Sequence, residues 1–368
     1  MKIYNVSGNA FYNNIGTPIG EVDTNCSTAA EAITESNANY VSQNFMRIVM
    51  LDNNYKYFSV ANIKLIIDQM NLSGLNYLML GFGGSGRGLG FKLNNMTIEA
   101  DGVEYDLSQC VLTNYGAYLS ENDMQTIISY ALSKNIEIIP LFNMPGHFRP
   151  FLKYQPQFRY NNDIDSLDID NPKAVNYAIA VAELYMKWFS AHGIKWWNLG
   201  ADEFADIANG YYTLFSSGNY NYADFINRVA YTAAKYRMIP MTWNDPICVS
   251  NSNYPFIMRN APTLYWHKGT NWGTANAIKA DGHKLINSCE DIYWVANGPQ
   301  VTEAQMRNFN IKRFDDGSTI SDPAGACFCI WIGTRESPAL NDDGAAITQA
   351  ILPLIAAFGE TVNAQIAP

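Results

Sequence analysis

From residue 46 onward the chain repeats one pattern: a short apolar run, a polar loop, a stretch with helical spacing, then the next run. The apolar runs are 47–51 (RIVML), 75–82 (LNYLMLGF), 136–142 (IEIIPLF) and 194–199 (IKWWNL). They continue with 238–243 (MIPMTW), 263–266 (TLYW), 284–288 (KLINS) and 327–332 (CFCIWI). Short, β-rich runs bounded by Gly, Asn or Asp are how strands buried on both faces of a parallel sheet read. Between them, residues 60–70 (VANIKLIIDQM) place Ile63, Ile66, Ile67 and Met70 on one helical face. Residues 122–134, 172–192, 222–236, 274–280 and 344–358 carry similar spacing, and Pro172 after Asn171 is a capped helix start. Eight strand-like runs alternating with helices predict an α/β fold of the (β/α)8 TIM barrel type.

Residues 46–368 read as the barrel. Residues 1–45, rich in Asn, Ser and Thr and weakly periodic, read as an N-terminal extension packed on it. A doubly wound nucleotide-binding sheet is the competing architecture, but no GxGxxG follows the first strand. The glycine-rich stretch 81–90 (GFGGSGRGLG) lacks the Lys-Ser/Thr of a phosphate loop and is expected to be a flexible connection.

The 368 residues hold 24 Lys+Arg against 34 Asp+Glu, a net charge of −10, which disfavours a nucleic-acid partner. Only 16% of residues are charged, while 8 Trp, 23 Tyr and 18 Phe make the chain rich in aromatics. That balance suits neutral polar ligands such as sugars, whose apolar ring faces stack on indoles, although large cores also use aromatics. No run reaches the length of a membrane span, and the start (MKIYNVSGNAFYNN) shows no secretory signal. The six cysteines are scattered without a CxxC pair and are expected to be buried free thiols. The four histidines lack HExxH spacing, so no metal or cofactor is expected.

In a barrel of this type the reactive groups sit at the C-terminal strand ends. Those ends carry Asp52, Asn143 with His147, Asp202 with Glu203, Asn244 with Asp245, Trp266 with His267, a loop reaching Tyr293, and Trp331. Carboxylates, an imidazole and indoles together are what a glycoside-cleaving site needs: groups to move protons and faces to hold sugar rings. The sharpest signal is residues 195–205 (KWWNLGADEFA), a strand followed by two adjacent acids. Two converging carboxylates repel, so one of them is expected to keep a proton near neutral pH. The plain alternative is an acidic turn capping the next helix.

The segments RIVMLDNNYKYFSVANIKLIIDQMNLSGLNYLML, ALSKNIEIIPLFNMPGHF, WWNLGADEF, TWNDP, TLYW and CFCIWIG occur in order at barrel spacing. Together they resemble glycoside hydrolase family 20, the β-N-acetylhexosaminidases, and within it the single-domain dispersin type. The resemblance implies cleavage with retention, the substrate's own 2-acetamido oxygen acting as nucleophile. It implies Glu203 as general acid/base and Asp202 as the group that orients the acetamido and stabilises the oxazolinium. Tyr293 would bind the acetamido oxygen, and Trp243, Trp266 and Trp331 would wall the pocket. His147 matches a histidine of the supporting network. Asp52, Tyr55 and Asp245 complete the expected substrate-binding set.

Several positions depart from the family pattern. The usual sugar-gripping Arg is Tyr55, followed by Lys56, and the second strand ends in Gly81-Phe82-Gly83-Gly84 with no acid. After the third strand the usual acids are Leu141 and Asn143, and the residue before the acid pair is Ala201. The acid expected after Trp331 is displaced, with Arg335 or Glu336 as stand-ins. The expectation is therefore a hexosaminidase acting on an unusual GalNAc- or GlcNAc-containing glycan or polysaccharide. Such a substrate suggests an extracellular or virion-associated protein. The rivals are a non-catalytic carbohydrate-binding barrel and a conventional two-carboxylate glycosidase with Asp245 or Asp52 as nucleophile.

Overall fold

Each apolar run forms a strand: β1 Met46–Asp52, β2 Tyr77–Gly83, β3 Glu137–Phe142, β4 Trp196–Asn198, β5 Ile239–Trp243, β6 Pro262–Tyr265, β7 Lys284–Asn287 and β8 Gly325–Trp331. The computed structural model describes residues 10–12, 18–21, 45–84, 89–111, 117–204, 221–247, 261–266, 273–296, 298–332 and 343–366. All eight strands are parallel to their neighbours in chain order. The sheet closes because β8 pairs with both β7 and β1, running from Gly325 opposite Met46 to Ile330 opposite Leu51. The chain is a (β/α)8 barrel.

Closure puts alternate side chains on opposite sides of the wall, so two cores form. Met46, Ile48 and Met50 of β1 point inward with Met79, Ile139, Met241 and Ile286. Val49 and Leu51 point outward, with Leu78, Leu80, Phe82 and Trp197, into the layer beneath the helices. This two-sided burial is why the strands read as continuous apolar runs.

Among the described residues the helices, apart from a single turn at Arg149–Leu152, are α1 Val60–Leu72, α2 Glu121–Ser133, α3 Pro172–Ala191, α4 Asn221–Lys235, α5 Ala275–Ala280, α6 Glu303–Arg307 and α7 Ala345–Ile366. Several starts are capped by side chains, among them the one at Asn171 that the sequence suggests. Ser59 accepts from the Asn62 N–H, Ser120 and Asp123 form a reciprocal box, and Asn171 accepts from the Lys173 N–H ahead of Pro172. A hairpin, Thr97–Ala100 with Val103–Asp106, follows β2 and packs on α3. The short strand Trp294–Val295 pairs alongside Ile330 and Trp331 of β8. Both were too short to show a period in the sequence. Of the N-terminal extension, Ala10–Tyr12 pairs antiparallel with Pro18–Glu21, and most of residues 1–44 lie outside the described residues.

Helix α7 runs past residue 358, where Gly359 looks like a stop signal. The glycine instead permits close approach: a Cβ at Gly359 would lie 2.4 Å from the Ser73 carbonyl oxygen at the end of α1. Helix propensity alone favours Ala over Gly by about 1 kcal/mol. Contact with a fixed backbone oxygen opposes it by about 1–3 kcal/mol. Gly359→Ala is therefore expected to lower the denaturation midpoint. A midpoint that rises would show that α1 and α7 yield at this point.

Candidate active site

Strand β4 was expected to continue through Leu199, but it stops at Asn198. The Asn198 side-chain carbonyl accepts the Gly200 N–H at 2.8 Å and starts a turn. Gly200, Ala201 and Glu203 then take left-handed backbone, with φ of 72°, 70° and 51°. Only Gly fits position 200, where a Cβ would lie 2.1 Å from Asn143 Oδ1. For Ala201 and Glu203 the conformation costs about 1–2 kcal/mol each, so neighbours must hold it. The Ala201 N–H donates to Asn143 Oδ1 at 3.0 Å, and the Tyr222 hydroxyl donates to the Ala201 carbonyl at 2.5 Å. Thr242 Oγ1 and the Trp243 N–H donate to the Gly200 carbonyl at 2.9 and 3.0 Å. The Glu203 N–H donates to Asp245 Oδ1 at 3.0 Å.

This turn makes the two acids converge. His147 Nε2 lies 3.4 Å from Asp202 Oδ2 and 3.3 Å from Glu203 Oε2. One atom from each of the three residues falls within 4.8 Å of the others. Asp202 is buried and also accepts from Asn143 Nδ2 at 2.5 Å, while the Glu203 side chain is 47% exposed. His147 itself is left-handed (φ 55°), and a Cβ on Gly146 before it would lie 2.9 Å from the Asp202 carbonyl oxygen.

Burial works against a charged imidazole at His147, but the Asp202 and Glu203 carboxylates outweigh it and hold its pKa well above the ordinary value. The sign follows for folding. The stabilisation is complete below about pH 6.5 and is lost as pH rises through the raised folded value. The carboxyl pushed upward is Asp245, through burial and then the charge of Asp202. Its oxygens accept from the Glu203 N–H and, at 2.6 Å, from Trp266 Nε1. Asp245 thus joins the acid loop to an indole of the wall.

The aromatic wall is continuous with the inner core. Trp243 is buried, with its ring centroid 5.8 Å from that of Trp331. Tyr293 meets Trp331 edge-on at 6.4 Å, placed there by the pairing of Trp294–Val295 with β8. Trp266 packs against the same inner cluster. The Tyr293 hydroxyl shares a hydrogen bond with Ser288 Oγ at 3.2 Å, and Ser288 Oγ lies 3.3 Å from Cys329 Sγ. Burial, with smaller effects from the neighbouring thiols, raises the Tyr293 pKa well above its ordinary value, so its hydroxyl stays a donor.

Asp52, expected from the sequence to contact sugar, is instead an enclosed brace. It is 1% exposed, and its oxygens accept backbone N–H groups from Asn54, Tyr55 and Ile332 at 3.0, 3.4 and 3.2 Å. Burial raises its pKa. It ties the end of β1 to the residue following Trp331. Tyr55 is partly buried beside this brace. His267, Arg335 and Glu336 lie outside the described residues.

Sequence reasoning missed Ser288 beneath Tyr293. It also missed Arg149, whose guanidinium pairs with Asp165 through Nε at 2.8 Å and Nη2 at 2.5 Å. Asp165 first, and Tyr55 among weaker influences, raise the Arg149 pKa. Its place two residues after His147 was the available signal. The four cysteines among the described residues, Cys110, Cys289, Cys327 and Cys329, are free and buried. Besides the His147 group, Cys289, Asp291 and Asp315 bring three potential metal-ligand atoms within 4.8 Å. The Cys289 thiol there donates to Asp315 Oδ1, and burial raises its pKa.

The family model for the glycosyl hydrolase family 20 catalytic domain matches residues 45–323. The chain belongs to this family. Lacto-N-biosidase of Bifidobacterium bifidum is 26% identical over 241 residues, which cover 58% of this chain and 21% of that protein. β-Hexosaminidase subunit A1 of Dictyostelium discoideum is 25% identical over 146 residues, 36% of this chain and 27% of that protein. The family 20 chain thus matches about a fifth to a quarter of the length of these curated relatives. Its fold resembles a catalytic module of the pneumococcal exo-β-D-N-acetylglucosaminidase, with TM-score 0.76, 23% identity and coverage of 87% and 84%. It resembles dispersin B with TM-score 0.63, 19% identity and coverage of 87% and 99%. These structural likenesses establish the barrel. The family match places residues 45–323 in a glycosyl hydrolase catalytic domain.

Proposed function

We propose that the chain is a retaining β-N-acetylhexosaminidase in which the substrate's 2-acetamido oxygen attacks the anomeric carbon. Glu203 protonates the leaving oxygen, then deprotonates the water that opens the oxazolinium. Its partial exposure gives both partners access. Asp202 accepts the acetamido N–H and faces the positive charge that develops. Tyr293 donates to the acetamido oxygen, and Trp243, Trp266 and Trp331 keep water out. Intramolecular attack avoids the entropy of bringing in a separate nucleophile. The observation carrying this reading is the convergence of Asp202 and Glu203 on His147, with Asp245 linking Glu203 to Trp266.

A conventional mechanism needs an accessible anionic nucleophile. Asp52 and Asp245 are each 1% exposed and engaged by N–H donors, with pKa values pushed up, so they suit bracing better than attack. Against a non-catalytic barrel stands the strained backbone at Ala201, Glu203 and His147, a feature that clusters where chemistry needs it.

The substrate is an N-acetylhexosamine glycan whose reacting sugar is epimeric at C4, substituted, or inside a polymer. At the ends of β1 and β2 the pattern's charged hydroxyl clamp gives way to Tyr55 and glycines. A relative named lacto-N-biosidase fits a site that admits a substituted sugar. Such a glycan suits a protein working outside the cell or on a virion.

The test compares aryl β-GlcNAc, aryl β-GalNAc and polymeric or oligomeric amino sugars, each with and without an N-acetyl thiazoline. Strong inhibition and preference for the larger or GalNAc substrates are expected. Turnover insensitive to the thiazoline would overturn the substrate-assisted mechanism. Thiazoline binding with no turnover of any glycan would favour the non-catalytic barrel. Fast hydrolysis of the simple GlcNAc glycoside at ordinary affinity would overturn the altered specificity.

A further inference from the structure

Position 143 carries an amide where the family pattern has an acid, and the geometry gives that amide a defined task. Asn143 follows β3 and is buried. Its Oδ1 accepts the Ala201 N–H at 3.0 Å. That bond fixes which way the amide faces, because an N–H needs an acceptor opposite it. Nδ2 is thereby turned to Asp202 and donates to Oδ1 at 2.5 Å. A carboxylate in the same place would satisfy Ala201 but set oxygen against oxygen at Asp202. The amide also shapes the turn, since Gly200 passes so close to Oδ1 that no side chain fits there.

We propose that Asn143 is a positioning residue for the reaction, anchoring the Asp202 carboxylate and leaving His147 to bridge Asp202 and Glu203. The inference rests on the roles proposed above for those two acids. His147 Nε2 stands between their carboxylates, 3.4 and 3.3 Å away, and position 143 contributes no negative charge of its own. The charged and titratable groups around it are Asp202 and Glu203 on the loop after β4, His147 after β3, and Asp245 after β5. With an acid at 143 this set would gain a fourth carboxylate, set directly against Asp202 Oδ1.

Asn143→Asp and Asn143→Ala test this. At pH 7 the Asp variant is expected to lose about 10–100-fold in kcat, the scale set by misplacing a reacting group. It should recover toward pH 5, where the new carboxyl takes a proton and donates to Asp202 as the amide did. The Ala variant should lose a similar factor without that recovery. Because the anchor acts through Asp202, the loss should be equal for aryl glycosides with good and poor leaving groups. A wild-type kcat and pH profile in Asn143→Asp would overturn the proposal, as would a loss that disappears with an activated leaving group.

Thermal unfolding supplies a readout that needs neither turnover nor ligand. A carboxyl facing Asp202 has its folded pKa raised, so the stability it contributes is present at low pH and lost as pH rises. The Asp variant should therefore fall further below wild type at pH 7 than at pH 5. An unchanged difference would overturn the inference even if the wild type hydrolyses no N-acetylhexosaminide. That last result would instead remove the proposed function.

Discussion

Replacing Glu203 with glutamine is expected to slow hydrolysis of an unactivated N-acetylhexosaminide by about 10²–10⁴-fold, the range for losing a positioned general acid. That corresponds to about 2.7–5.4 kcal/mol of transition-state stabilisation. The substitution is nearly isosteric, and the backbone N–H of residue 203 still reaches Asp245 Oδ1, so the strained turn keeps its tether. The variant loses the ability to give a proton to the leaving oxygen and later to take one from water. The defect should shrink when the leaving group is a stable phenolate, because departure then needs no proton. Steady-state kcat and kcat/KM for a series of aryl glycosides measure both effects. Activity within about threefold of wild type on a poor leaving group would remove the acid assignment.

The barrel was legible because its strands are buried on both faces, and two-sided burial leaves unbroken apolar runs such as RIVML and CFCIWI. The limits of that legibility are physical. Gly359 looks like a helix stop because glycine usually marks conformational freedom, yet here it marks contact with Ser73, which no local pattern encodes. Strand β4 stops before its apolar run ends because the Asn198 side chain captures the Gly200 N–H.

At the site, the acid pair could be picked out from its place after a strand. Asn143 after β3 and Asp245 after β5 could be placed at neighbouring strand ends, but not as the groups that hold the turn, and Tyr222 at the start of α4 and Thr242 in β5 were not singled out, because contacts between elements leave no local pattern. Asp52 shows the converse. A carboxylate at a strand end looks ready for ligand, and only three-dimensional packing reveals that backbone N–H groups from just after β1 and just after β8 already surround it.

Asp202→Asn is expected to cost about 10²–10³ in kcat, the scale for removing a preorganised charge from a water-poor site. Asp202 is buried, where a charge acts through a lower effective dielectric than in water. The new amide also changes its neighbours. Asn143 Nδ2 already donates toward this position, so residue 202 must present its carbonyl there and turn its own N–H groups toward His147. His147 then faces a donor and a single remaining carboxylate in place of two acceptors. Its pKa should fall back toward the ordinary histidine value, which NMR titration of the imidazole measures. The stability that its charge supplies should be lost at lower pH than in wild type, because the folded value through which it titrates has dropped. The kinetic signature differs from that of Glu203→Gln. Asp202 acts on the acetamido group and on the developing oxazolinium, so its loss should persist with an activated leaving group. If both variants recover equally with such substrates, Asp202 assists departure of the leaving group and the acetamido oxygen is not the nucleophile.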